Sequence, residues 1–194
     1  MYISKGNLRM AIPTWSLPAE KTCPGRTPHC TTYCYAKKAE RLYKAVLPSR
    51  ERNLIATKQK NYVTDITAKI KKLKGLFFRV HESGDMYNQL YLDSWIQICK
   101  NVPEKKFLIY TQMFNLDWSK KPENMIVYWS MWDDSPNAPT GLRAFVIDDG
   151  TGKLGRNKLP IGTKICIKGK GIDLKCEDCL YCYEGRGDVA FKIH

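Results

Sequence analysis

The sequence predicts one α/β domain: a partial (β/α) barrel or an open parallel sheet, with a cysteine-rich C-terminal appendage. Three observations lead there. Apolar runs of strand length alternate with amphipathic stretches of helical period, as in parallel strands joined by crossover helices. A length of 194 residues suits a single domain with a substantial core. Seven of the eight cysteines fall in two groups, one near each end of the chain. No repeat, low-complexity segment or linker divides the sequence. Residues 1–194 therefore read as one unit, with 1–165 as the core and 166–194 as a metal-binding tail.

Taken in order, residues 7–17 read as a strand that runs into the loop CPGRTPHCTTYCYA, Cys23 to Ala36. Helical spacing begins at Ala36, where Ala39, Leu42, Tyr43 and Val46 recur on one face. Pro48 interrupts it, and a second helix is predicted from Ser49 to Lys60. A third carries Val63, Ile66, Ile70 and Leu73 inward and lysines outward, with Gly75 as its stop. GLFFRV is a short apolar strand that opens into the turn HESGD. The helix that follows, Asn88 to Lys100, buries Leu92, Trp95, Ile96 and Cys99, so Cys99 reads as a core thiol. KFLIYTQ, MIVYWSM, LRAFVID and KICIKG complete the strands. Helical periodicity fades after residue 112, which predicts a reduced second half.

Hydrophobic residues make up 43% and charged residues 26%, as in ordinary globular proteins. No apolar run is long enough for a membrane span, and the first residues lack a secretory apolar region. A cytoplasmic location is expected. In that compartment thiol clusters are metal ligands more often than disulfides. The net charge of +13 is uneven: residues 1–75 carry 16 Lys and Arg against 4 Asp and Glu. A basic first third fits either an anionic partner such as nucleic acid, or a solvated lysine-rich helical face.

Cys166 and the run Cys176, Cys179 and Cys182 (C-x2-C-x2-C) offer four thiolates at a spacing that wraps a [4Fe–4S] cluster. Four cysteines also suit a tetrahedral structural zinc, and that alternative stays open. Cys23, Cys30 and Cys34 (C-x6-C-x3-C) supply three thiolates, which leaves one iron of a cluster for another ligand. His29 lies between two of them, either as that ligand or as a loop bystander. One cluster or two is open at this point. In parallel α/β folds function gathers at the carboxyl ends of the strands. The cysteine loop leaves the first strand there. His81, Glu82, Ser83 and Asp85 follow the second strand, Thr111 and Gln112 the third, and Ser130 and Asp133 the fourth.

CPGRTPHCTTYCYAKKAER, FRVHESGDMYNQLYLDSW, IYTQ and the closing cysteine run, in this order, resemble the phage gene product 88 domain family over nearly the whole chain. The resemblance implies a phage or mobile-element origin, and so a bacterial host cytoplasm. More distantly, the layout is similar to radical S-adenosylmethionine (SAM) enzymes. There, three cysteines in a loop after the first strand of a partial barrel hold a [4Fe–4S] cluster whose open iron chelates SAM. Two departures stand out. The spacing here is C-x6-C-x3-C rather than C-x3-C-x2-C, and SGD stands where that family carries Gly-Gly-Glu.

The leading expectation is an iron–sulfur protein that performs redox or radical chemistry on a small-molecule or macromolecular substrate. In it His81, Glu82 and Asp85 are catalytic, and Ser83, Gly84, Thr111 and Gln112 contact the cofactor. The alternative is a zinc- or cluster-stapled protein without catalysis. It would bind nucleic acid through Lys69 to Lys74 and the helix from Ala36, or bind a host factor.

Overall fold

The computed structural model describes residues 1–6, 10–148, 150, 159–166 and 174–193. Its elements are β1 (Thr14–Trp15), α1 (Pro28–Thr32), α2 (Tyr35–Leu42), α3 (Val46–Ala56), α4 (Tyr62–Lys71), β2 (Phe77–Val80), α5 (Gln89–Asn101), β3 (Lys106–Thr111), β4 (Met125–Met131), β5 (Leu142–Ile147), β6 (Lys164–Ile165), α6 (Cys176–Cys179) and β7 (Val189–Lys192). The strands form one open, seven-stranded sheet in the order β1-β2-β3-β4-β5-β7-β6. Every pairing within it is parallel.

Because side chains alternate across a strand, each central strand feeds two layers. Phe78 and Val80 of β2, Phe107 and Ile109 of β3, and Met125, Val127 and Trp129 of β4 pack with α4 and α5 in the larger core. Ile66, Ile70, Leu92, Trp95 and Cys99 meet them there from the helices, all fully buried. Each such aliphatic or aromatic side chain contributes about 1.5–3 kcal/mol by leaving water. Helix α5 starts where Asn88 caps it, its side chain accepting from the Tyr91 amide at 2.9 Å. Pro48 lies inside α3, in the first turn, where a missing N–H costs nothing.

The opposite face is covered by the tail. Leu108, Tyr128, Ala144 and Val189 pack with Met10, Ile12 and Tyr183, and Cys166, Cys176 and Cys182 border this second core. The tail is therefore not an appendage. Strand β7 is internal, hydrogen-bonded to β5 on one side and β6 on the other. The first strand is shorter than the sequence suggests: β1 covers two residues, and Thr14 also bridges back to Ser4. Residues 7–9 of that expected strand, and 167–169 of KICIKG, lie outside the described residues.

Candidate metal centre

The loops at the carboxyl ends of β1, β2 and β3 are locked together by the SGD turn. The Leu17 amide donates to the Ser83 carbonyl, and the Ser83 hydroxyl donates back to the Leu17 carbonyl, both at 2.9 Å. Gly84 has φ +84°, and a Cβ there would lie 2.6 Å from Thr22 Oγ1 and 2.7 Å from Leu17 Cβ. Only glycine allows that approach. The Asp85 amide donates to the Thr22 carbonyl at 3.1 Å. Its buried carboxylate accepts from the Met86 amide at 2.7 Å, Thr111 Oγ1 at 2.6 Å and the Gln112 amide at 2.9 Å. Burial nevertheless pushes this carboxyl up to about 6, against those three donors. Gly25, in the cysteine loop, packs so closely on β3 that a Cβ would meet the Gln112 carbonyl at 2.6 Å.

This frame gathers Cys23, Cys30 and Cys34. Burial pushes the Cys23 thiol up to about 12, and Asp85 and the other two sulfurs push it further in the same direction. The Cys30 thiol is pushed up to about 11, again chiefly by burial, while a hydrogen bond from the Gln112 side chain works the other way. The other end of that amide, Gln112 Oε1, is buried without a partner. Thr27 caps α1 by accepting from the Cys30 amide at 3.2 Å, and Cys34 stands at the N-cap of α2. The β4–β5 loop grips α1 from outside. Asp134 accepts from the His29 amide at 2.9 Å, the His29 ring pairs with Asp133, and Tyr33 stacks on Trp132. Hydrogen bonding to Asp133 raises the His29 pKa. Among the described residues, His29, Asp133 and Asp134 are the metal-binding types whose donor atoms lie within 4.8 Å of one another.

On the other face of the sheet, Cys182 receives a hydrogen bond from Tyr110 and feels Cys166 and Cys176. Burial pushes its thiol up to about 11, offset in part by Tyr110 and Arg79. Cys176 opens α6, a single turn that Cys179 closes; Cys179 is not among the side chains packed on this face. Arg79 lies beside Cys182 and Tyr110. Its guanidinium lies 4.1 Å over the Tyr110 ring, and Nε donates to the His81 carbonyl at 3.0 Å. Its charge reaches both Cys182 and Tyr35, the neighbour of Cys34.

The sequence model of the family described as gene product 88 matches residues 2–185. The chain belongs to the gene product 88 family. It is 25% identical over 195 residues to the Gene 88 protein of Mycobacterium phage L5, covering 88% of this chain and 81% of that one. It is 24% identical over 198 residues to the Gene 88 protein of Mycobacterium phage D29, with the same coverage of each chain. No solved structure matches it. In the described residues of this gene product 88 chain, no helix is long and apolar enough to cross a membrane.

The residues singled out from the gene product 88 sequence divide by location. Asp85 and Gln112 adjoin the first cysteine set; Ser83, Gly84 and Thr111 are the joinery that holds it. Glu82 contributes its carbonyl, which accepts from Tyr35. His81 differs from the expectation: its ring turns into the larger core, stacked on Tyr91 and edge-on to Trp95. Nε2 pairs with the Tyr91 hydroxyl at 2.9 Å, and burial drives the ring down to about 3. The cause is a backbone φ of +66° just past β2, which re-aims the side chain. Sequence reasoning missed Arg79 and Tyr110. The signal was a lone arginine inside an otherwise apolar, centrally paired strand, a position that demands a partner.

Proposed function

We propose that this gene product 88 protein is an iron–sulfur protein that performs redox or radical chemistry on a bound substrate. Cys23, Cys30 and Cys34 would hold an accessible [4Fe–4S] cluster, and Cys166, Cys176, Cys179 and Cys182 a closed one. The observation that carries the reading is that Cys23, Cys30 and Cys34 lie in one loop at the carboxyl end of β1, near enough to act on one another electrostatically. Further support comes from charge. The Cys23 and Cys30 thiols are disfavoured as thiolates by burial, by neighbouring sulfurs and by Asp85, and bound iron is the kind of cation that offsets this.

A tetrahedral structural zinc on Cys166, Cys176, Cys179 and Cys182 is the alternative, and metal analysis separates it from a cluster. Sequential parallel strands with the cysteine loop after the first are also the arrangement that a radical SAM-like reading needs.

A cluster held there supplies one-electron redox capacity. The chain's own groups prepare the site. The Gln112 amide donates to the Cys30 sulfur, which eases added negative charge, and its orphaned Oε1 is left to accept a ligand N–H. Asp85 fixes the loop geometry through its three donors. Tyr110 and Arg79 favour the thiolate form of Cys182 on the far face. Anaerobic purification followed by iron and acid-labile sulfide assay tests the proposal. Near eight irons with matching sulfide and a brown visible absorbance are expected for two clusters. Zinc without sulfide or colour would overturn it.

A further inference from the structure

A cleft of about 340 Å³ opens beside Cys34, and Tyr33, Tyr35, Lys38 and Arg41 are among its walls. Helix geometry sets the spacing. The Lys38 amide donates to the Cys34 carbonyl at 3.3 Å, so Lys38 sits one turn beyond the cysteine. Arg41 follows three residues later on the same face. At 1.5 Å per residue the two cations stand about 6 Å and about 10 Å along the axis from Cys34.

Basic residues outnumber acids in the loop and helix that form it. Residues 19–45 carry six Lys and Arg against two Glu. Both acids are occupied: Glu20 holds Lys37 at 2.8 and 2.9 Å, and Glu40 holds the buried Arg50 at 2.9 Å. Arg26 donates to the carbonyls of Glu20 and Cys23, each at 3.1 Å. Lys21, Lys38, Arg41 and Lys44 remain, exposed and without an ion-pair partner among the described residues, and of these Lys38 and Arg41 line the cleft. An arginine fork matches phosphate oxygens bidentately, and the exposed Tyr35 ring offers a face for a base. The volume lies at the lower end of small-ligand sites, near the size of one nucleotide.

We propose that the Cys34 cleft binds a nucleotide unit, its phosphate on Lys38 and Arg41 and its base against Tyr35, as the anionic handle of the substrate. The word substrate rests on the iron–sulfur reading; the binding does not. Free nucleotides and nucleic-acid strands share this chemistry, and the test separates them.

The probes are AMP, by calorimetry, and a fluorescein-labelled single-stranded oligonucleotide, by anisotropy, against the anaerobically purified full chain at low salt. The Lys38→Ala, Arg41→Ala double variant should lose roughly tenfold or more in affinity. Lys120→Ala, Lys121→Ala removes equal charge from an exposed turn between β3 and β4 and should lose less than about twofold. Binding of AMP identifies a free nucleotide as sufficient; binding of the oligonucleotide alone identifies a strand. No binding of either probe, or equal losses in the two double variants, would overturn the proposal. So would displacement of the oligonucleotide by polyglutamate of equal charge, which would reveal an unselective cationic face. Iron content is measured on the same samples. Iron-free protein that still binds through Lys38 and Arg41 sinks the cluster reading alone, while normal iron without binding sinks this one alone.

Discussion

Replacing Gly84 by alanine tests whether the SGD turn is what seats the cysteine loop. Two costs add. An alanine at φ +84° pays for a left-handed backbone, about 1–2 kcal/mol. Its Cβ also meets Thr22 Oγ1 at 2.6 Å and Leu17 Cβ at 2.7 Å. Both belong to the loop pinned by Ser83 and Asp85, so neither can retreat freely, and overpacking adds about 1–3 kcal/mol. The sum is about 2–5 kcal/mol, which for a chain of this size lowers Tm by roughly 4–20 °C. Gly75→Ala is the internal control. It has nearly the same φ, +83°, with no atom within 4 Å of an added Cβ, so only the backbone cost applies. Its Tm should fall by about 2–8 °C. Thermal unfolding by circular dichroism reads both. Iron retained after desalting should drop in Gly84→Ala and stay normal in Gly75→Ala. Equal Tm shifts with unchanged iron in both would refute the argument that close approach at Gly84 positions the cysteines.

Three more expectations follow from the same geometry. Cys176→Ser and Cys182→Ser should each lower iron content, whereas Cys99→Ala, deep among the helices, should cost about 1 kcal/mol of stability and leave iron unchanged; normal iron in both serine variants would remove the tail from the ligand set. Burial holds His81 neutral, with a folded value of about 3 below the ordinary 6.5. Its contribution is therefore complete above pH 6.5 and is lost as pH falls toward 3, by roughly 2–3 kcal/mol near pH 4.5. Tm compared at neutral and acidic pH should show less acid sensitivity in His81→Gln, and an equal decline in both proteins would refute the assignment. Arg79→Gln withdraws positive charge from beside Cys182, so the reduction potential of a tail cluster should become more negative by roughly tens of millivolts, read by redox titration; an unchanged potential would mean that Arg79 serves only to pack on Tyr110.

Much of the fold was legible because periodicity is a local property. The strands Phe77–Val80, Lys106–Thr111, Met125–Met131 and Leu142–Ile147, and the helix bearing Trp95 and Cys99, announce themselves through their own spacing. The grouping of the cysteines was equally plain, since thiols so close in sequence converge through a turn. Other features depend on partners far along the chain. VAFK is too short and too ordinary to read as a strand, and it becomes one because β5 and β6 leave a slot between them. The tail crosses the second face because Phe77, Tyr110 and Tyr128 expose apolar surface that α4 and α5 do not reach.

Side-chain direction is where sequence reasoning stops. His81 and Asp85 lie four residues apart in one polar turn and look interchangeable as pocket groups. A single left-handed φ sends the first into the aromatic core, while Gly84 and the donors from β3 hold the second beside the cysteines. The sequence by itself determined an α/β chain of parallel strands, a basic first third and two sets of thiols. Only the tertiary structure decided that Arg79 lies beside Cys182 and that the tail is part of the sheet. Both depend on strand register across the sheet, which long-range pairing sets and local spacing does not encode.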